Sequence, residues 1–148
     1  MIRKSMTEWN GDGPTGSGSL STESGALRGQ PYSFKTRFQD DGGKVTTNPE
    51  ELLGAAHAAC FAMTVAFLLT GAGHAPRRLK VTAAVDISKV GEGFGITSIA
   101  LDLEGRVDGL RADEFRTLAE TAKANCPVSK ALSATPISLT SRLAQYGE

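Results

Sequence analysis

From Glu50 to Gly73 the chain reads EELLGAAHAACFAMTVAFLLTGAG, its longest apolar run. Ala, Leu and Met favour helix. Asn48 suits the N-cap, Pro49 suits the first helical position, and Glu50 and Glu51 complement the positive end of the helix dipole. Gly71 and Gly73 are stop signals. The predicted helix is apolar nearly all round, so it is no ordinary surface helix. Two readings of it compete. About 20 apolar residues suffice to span a membrane; alternatively, this is the central buried helix of a domain. His57 inside the run, no Trp/Tyr belt beside it and no tight Lys/Arg cluster at one end favour the second.

The rest of the pattern is mostly alternation. Ile2 to Trp9, Ser19 to Glu23 and Tyr32 to Phe38 read as strands. In the last, Tyr32, Phe34, Thr36 and Phe38 share one face, and Ser33, Lys35 and Arg37 the other. Gly11 to Gly18 and Asp40 to Lys44 are turns by composition. Leu79 to Ser88 and Phe94 to Val107 alternate over long stretches and predict an antiparallel hairpin. Leu110 to Asn125 has helical spacing, Cys126 to Leu132 reads as a short helix, and Ile137 to Leu143 as a last strand. The order β-β-β-α-β-β-α-α-β predicts the α+β class, with mixed or antiparallel sheets around the central helix.

A chain of 148 residues suits a single domain, residues 1–148. With 16 basic and 16 acidic residues the net charge is zero, so nothing favours nucleic acid or an anionic membrane surface as a partner. The opening MIRKSMTEWNGDG carries no apolar signal region, and a cytoplasmic protein is expected. In that reducing compartment two cysteines read as catalytic, redox-sensing or inert rather than as a structural staple.

Cys126 has the more informative setting. Asn125-Cys126-Pro127 sets a thiol at a helix N-terminal edge, where its pKa falls and its reactivity rises. The bland alternative is that Cys126 only packs there. Cys60 lies mid-helix, where burial raises a thiol pKa, and reads as a core cysteine unless a cation such as Arg37 or the nearby His57 approaches it. His57, His74 and the cysteines match no zinc spacing. No phosphate loop, GxSxG elbow or dinucleotide fingerprint is present.

Several stretches together resemble one family: STESG (Ser21 to Gly25), PYSFKTRF (Pro31 to Phe38), NPEELLGAAHAACF (Asn48 to Phe61), GFGITSIAL (Gly93 to Leu101) and NCPVSKAL (Asn125 to Leu132). They resemble the OsmC branch of the OsmC/Ohr peroxidases, over nearly the whole chain and in the family's order of elements. The resemblance implies a thiol-dependent peroxidase that reduces organic hydroperoxides to alcohols, and hydrogen peroxide less well. It implies no metal, haem or flavin, a dithiol reductant of lipoyl type or similar, and an intertwined homodimer. Cys60 matches the family's peroxidatic cysteine and Cys126 its resolving cysteine. Arg37 and Glu50 match the pair that activates the thiolate; Glu51 stands beside them, but distance from the cysteine selects Glu50. Phe61 and Met63, next to Cys60, are candidates to favour organic peroxides, with plain core packing as their alternative.

Two expectations follow from geometry. Glu50 and Cys60 are ten positions apart, about 15 Å along one helix, so an unbroken helix makes Glu50 serve the Cys60 of a partner chain. Local electrostatics favour Cys126 as the more acidic thiol, whereas the family resemblance makes Cys60 the attacker; Cys60 is expected to attack, because a buried Arg contact can outweigh a helix end. Two other functions compete: a cysteine-pair redox switch or small-hydrophobic-ligand binder on the same fold, and a membrane-anchored protein using the Glu50 to Gly73 helix.

Overall fold

The computed structural model describes residues 1–39 and 46–144. They form two compact units, Met1–Leu52 and Leu53–Glu148. The turn expected at Asp40 to Lys44 lies outside the described residues.

In the first unit, β1 (Ser5–Asn10), β2 (Ser17–Thr22) and β3 (Gln30–Ser33) form an antiparallel sheet in that order. Trp9 and Tyr32 meet across it, ring centroids 5.5 Å apart. Yet among the described residues no buried hydrophobic side chain belongs to this unit; those of the described core lie at Phe61 or beyond.

One expectation fails here. Tyr32 to Phe38 is not one strand: β3 stops at Ser33, and Phe34–Phe38 is a short helix, α1. Ser33 and Thr36 cap it reciprocally. The Thr36 N–H donates to Ser33 Oγ at 3.3 Å, and the Ser33 N–H to Thr36 Oγ1 at 2.8 Å. Phe34 and Phe38, four residues apart, bring their rings to 4.8 Å. The alternation of aromatics concealed this helical pair.

Helix α2 runs unbroken over Pro49–Gly71. Asn48 caps it as expected, its Oδ1 accepting from the Glu51 N–H at 2.8 Å. Asn48→Ala should cost about 1 kcal/mol of stability, read as a lower denaturation midpoint at fixed protein concentration. The helix ends in a Schellman motif: the His74 N–H donates to the Leu69 carbonyl and the Gly73 N–H to the Thr70 carbonyl. Gly73 takes a φ of +86°, which is why glycine stands there.

In the second unit, β4 (Arg78–Val90) and β5 (Gly93–Arg106) make the expected hairpin. β6 (Ile137–Leu143) joins β5 in parallel, after a crossover through α3 (Ala112–Asn125) and α4 (Pro127–Ala131), so this sheet is mixed. A register shift at Asp86/Ile87 pairs Ile87 with Ile96 and Val85 with Ile99. That bulge re-phases β5, so that Ile96 packs against the core although it is out of step with the buried Ile99, Leu101 and Leu103.

Within this unit α2 buries a stripe of Gly54, His57, Phe61, Val65 and Leu69. A side chain at Gly54 would meet the Ala83 carbonyl of β4 at 3.1 Å, so glycine lets the helix lie close on the sheet. The central helix is therefore buried on one face, not all round: Met63 is 62% and Phe67 74% exposed. By length and composition alone α2 could also cross a membrane.

Candidate active site

Two constellations carry the expected site residues, one in each unit. In the first unit, α1 presents Arg37 and the first turn of α2 presents Glu50. Arg37 Nε lies 3.1 and 3.2 Å from the two Glu50 carboxylate oxygens, and Nη2 lies 2.7 Å from Oε1. This is a two-point, charge-assisted contact that fixes the guanidinium in one plane. The Glu50 side chain is 7% exposed and that of Arg37 38%, so the pair offers one cationic edge outward. Burying a carboxylate without such a partner would be costly. Glu51 points elsewhere, accepting from Thr47 Oγ1 at 3.0 Å. Geometry thus selects Glu50 as the partner of Arg37. Trp9, Tyr32, Phe34 and Phe38 line a pocket of about 140 Å³ beside Arg37.

In the second unit, α2 and α4 bring the two cysteines together. Both are free thiols, with Sγ atoms 3.2 Å apart. Closing that gap to a disulfide asks for only about 1 Å of approach. Cys126 is wholly buried, at the start of α4; Cys60 is partly exposed.

Their environments differ. Burial pushes the Cys60 thiol up, and neighbouring Cys126 adds to this, against the opposing pull of the Val128 N–H and Thr64. Burial acts on Cys126 in the same direction, but the Ser129 N–H, Cys60, the Ser129 hydroxyl and the Val128 N–H together hold it below the ordinary thiol range. Electrostatics within the single chain therefore favour Cys126 as the readier thiolate, in the sense expected from its helix edge.

Three groups at the thiols were not anticipated: Thr64, the Val128 N–H and Ser129. The spacing Cys126-x-x-Ser129 was the available signal for Ser129, since a residue three places into a helix directs its N–H back toward the cap. His57 does not turn to Cys60. It is fully buried, and its Nε2 lies 2.7 Å from Ser129 Oγ. Burial lowers its pKa and keeps the ring neutral. Phe61 sits fully buried in the core, whereas Met63 faces outward. Among the described residues no group of three or more His, Cys, Asp or Glu converges as metal ligands would.

The family profile described as OsmC-like protein matches residues 40–142. The chain belongs to the OsmC-like family. It is 49% identical over 132 residues to peroxiredoxin OsmC of Escherichia coli strain K12, across 89% of this chain and 90% of that one. The fold of this OsmC-like chain is also that of an OsmC-like protein from Mycoplasma pneumoniae, with a TM-score of 0.75 at 16% identity, covering 98% and 99% of the two chains. The organic hydroperoxide resistance protein OhrB of Bacillus subtilis shares it as well, with a TM-score of 0.68 at 21% identity over 95% and 98%.

Proposed function

We propose that this OsmC-like chain is a cysteine peroxidase that reduces organic hydroperoxides to alcohols, and hydrogen peroxide less well, at the expense of a dithiol. The observation that carries the reading is the reduced Cys60–Cys126 pair, 3.2 Å apart, in a chain 49% identical to a peroxiredoxin. The Cys60 thiolate attacks the terminal peroxide oxygen. An S–O bond forms, the O–O bond breaks, and the alkoxide takes a proton to leave as alcohol. Cys126 then attacks the sulfenic sulfur; the disulfide forms and the oxygen leaves as water. A dithiol of lipoyl type or similar reopens the disulfide by exchange. The cycle uses two thiols and needs no metal, haem or flavin.

Arg37 stabilises the thiolate and orients the peroxide, and Glu50 holds Arg37 in plane. The unbroken α2 supports assigning them to the Cys60 of the partner subunit, because ten residues of helix span about 15 Å. A homodimer is supported further by the exposed apolar face of α2, with Met63 and Phe67, and by the lack of a buried hydrophobic side chain among the described residues of the first unit. The partner's Arg37 supplies a cation to Cys60, whose thiol burial pushes up. Met63, with the aromatic pocket beside Arg37, offers apolar surface to the organic part of the substrate, and Phe61 packs behind the thiol. The protein acts in the cytoplasm, where a dithiol keeps the pair reduced.

Purified protein should consume cumene hydroperoxide steadily in the presence of dihydrolipoamide. No turnover with any of several dithiols would overturn the reading in favour of a redox switch.

A further inference from the structure

Helices α2 and α4 meet at two points, one helical turn apart on each. His57 contacts Ser129, and Cys60 contacts Cys126. The two pairs run in opposite chain directions, so the His57–Ser129 contact sets the register that brings the sulfurs together. Ser129 is 5% exposed and His57 not at all. The Ser129 hydroxyl is held against the ring at 2.7 Å, one helical turn along from Cys126, and its hydrogen bonding favours the Cys126 thiolate.

The direction of this chain follows from one unpartnered atom. His57 Nδ1 is buried and has no hydrogen-bond partner among the described residues. A neutral imidazole carries one N–H. Were it on Nδ1, a buried donor would be orphaned, which proteins avoid more strictly than an unused acceptor. Nε2 would then have to accept the Ser129 proton, leaving none for Cys126. With the proton on Nε2, the ring donates to Ser129 Oγ and the hydroxyl is free to donate onward.

We propose that His57 and Ser129 are positioning residues for the resolving step: a one-way chain from His57 Nε2–H through the Ser129 hydroxyl to Cys126 Sγ holds Cys126 as the thiolate that attacks the oxidised Cys60. In that attack the S–S bond forms, the S–O bond of the sulfenic acid breaks, and the departing hydroxide takes a proton from solvent. Ser129 and His57 keep their protons throughout. The same chain makes Cys126 the better leaving group when the disulfide is reopened, which directs the incoming reductant to the Cys60 sulfur. Cys60 on α2 is the titratable group in contact with Cys126. Lys123 on α3 and Lys130 on α4 line a surface pocket with Ser129 and are unchanged in every variant below.

The purpose of the chain rests on the peroxidase reading, but its test does not use turnover. In a Cys60→Ala background Cys126 is the one remaining thiol, and its thiolate absorbance can be titrated directly. Ser129→Ala and His57→Leu should each raise the midpoint by about one unit, a tenfold smaller thiolate fraction at neutral pH. His57→Gln, which keeps a donor, should restore it. With Cys60 intact, dimedone should trap its sulfenic acid about tenfold longer in Ser129→Ala. An unmoved midpoint in Ser129→Ala would overturn the proposal, as would His57→Gln behaving like His57→Leu, the mark of a packing role. Nitrogen-15 shifts of the ring in the unsubstituted protein give a check free of folding effects: an Nε2–H tautomer is expected, and Nδ1–H refutes the chain. Absent turnover with normal titrations would instead count against the peroxidase reading alone.

Discussion

Cys60→Ser should abolish hydroperoxide consumption, whereas Cys126→Ser should still consume about one equivalent per chain and then stall under limiting dithiol. The asymmetry separates the roles of two thiols that stand in contact. Replacing sulfur by a hydroxyl at position 60 removes the nucleophile, and Cys126 cannot substitute: although it is held below the ordinary thiol range, it is wholly buried. A thiolate without access does not meet peroxide. Position 60 is partly exposed. In Cys126→Ser the sulfenic acid forms but finds no internal thiol, so dimedone should label Cys60 nearly completely after one equivalent of peroxide. Excess peroxide should carry it on to the sulfinic state. If Cys126→Ser were the dead variant and Cys60→Ser the one that reacts once, the assignment of attacker and resolver would be reversed, as the thiol environments within one chain taken alone would suggest.

Cys60→Ser and Arg37→Met chains, each inactive alone, should recover about a quarter of wild-type activity when mixed and allowed to exchange subunits. The arithmetic comes from the proposed shared site. Random pairing makes half of the dimers mixed, and each mixed dimer unites one intact Cys60 with one intact Arg37 across the interface. Its other site has neither. An Arg37 acting on the Cys60 of its own chain would give no recovery in any mixture, so the experiment decides between the two by presence against absence of signal. Glu50→Gln should behave like a milder Arg37→Met, because the guanidinium loses the two-point contact that holds its plane but keeps its charge.

Much of this was legible from residue order, because it is local. The ends of α2 were written in Asn48-Pro49 and in Gly71 and Gly73, and the β4–β5 hairpin in its two alternating runs. Helix α1 was missed because Tyr32, Phe34, Thr36 and Phe38 satisfy a strand's period of two, while Phe34 and Phe38 also satisfy a helix's spacing of four. The reciprocal Ser33–Thr36 caps decide the competition, and they use threonine where glutamate is the familiar signal. The family resemblance marked Cys60, Cys126, Arg37 and Glu50, and the choice of Glu50 over Glu51 follows the expected distance. His57 and Ser129 are 72 positions apart, and nothing in either neighbourhood announces the other. Nor could composition say which side of so uniformly apolar a helix would face out; Met63 and Phe67 look no different in sequence from Phe61 and Leu69.

The lack of a buried hydrophobic side chain among the described residues before Phe61 bears on how the chain is made. The first 52 residues leave the ribosome with a sheet's worth of pairing and, among those described, no buried hydrophobic side chain to offset its ordering. At ordinary synthesis speeds the remaining residues follow over roughly 5–20 s. For that interval Trp9, Tyr32 and the two phenylalanines of α1 are sticky, unprotected chain. The N-terminal sheet is thus a late product of synthesis, and the time it waits is a window in which a chaperone that grips short aromatic segments would find its client.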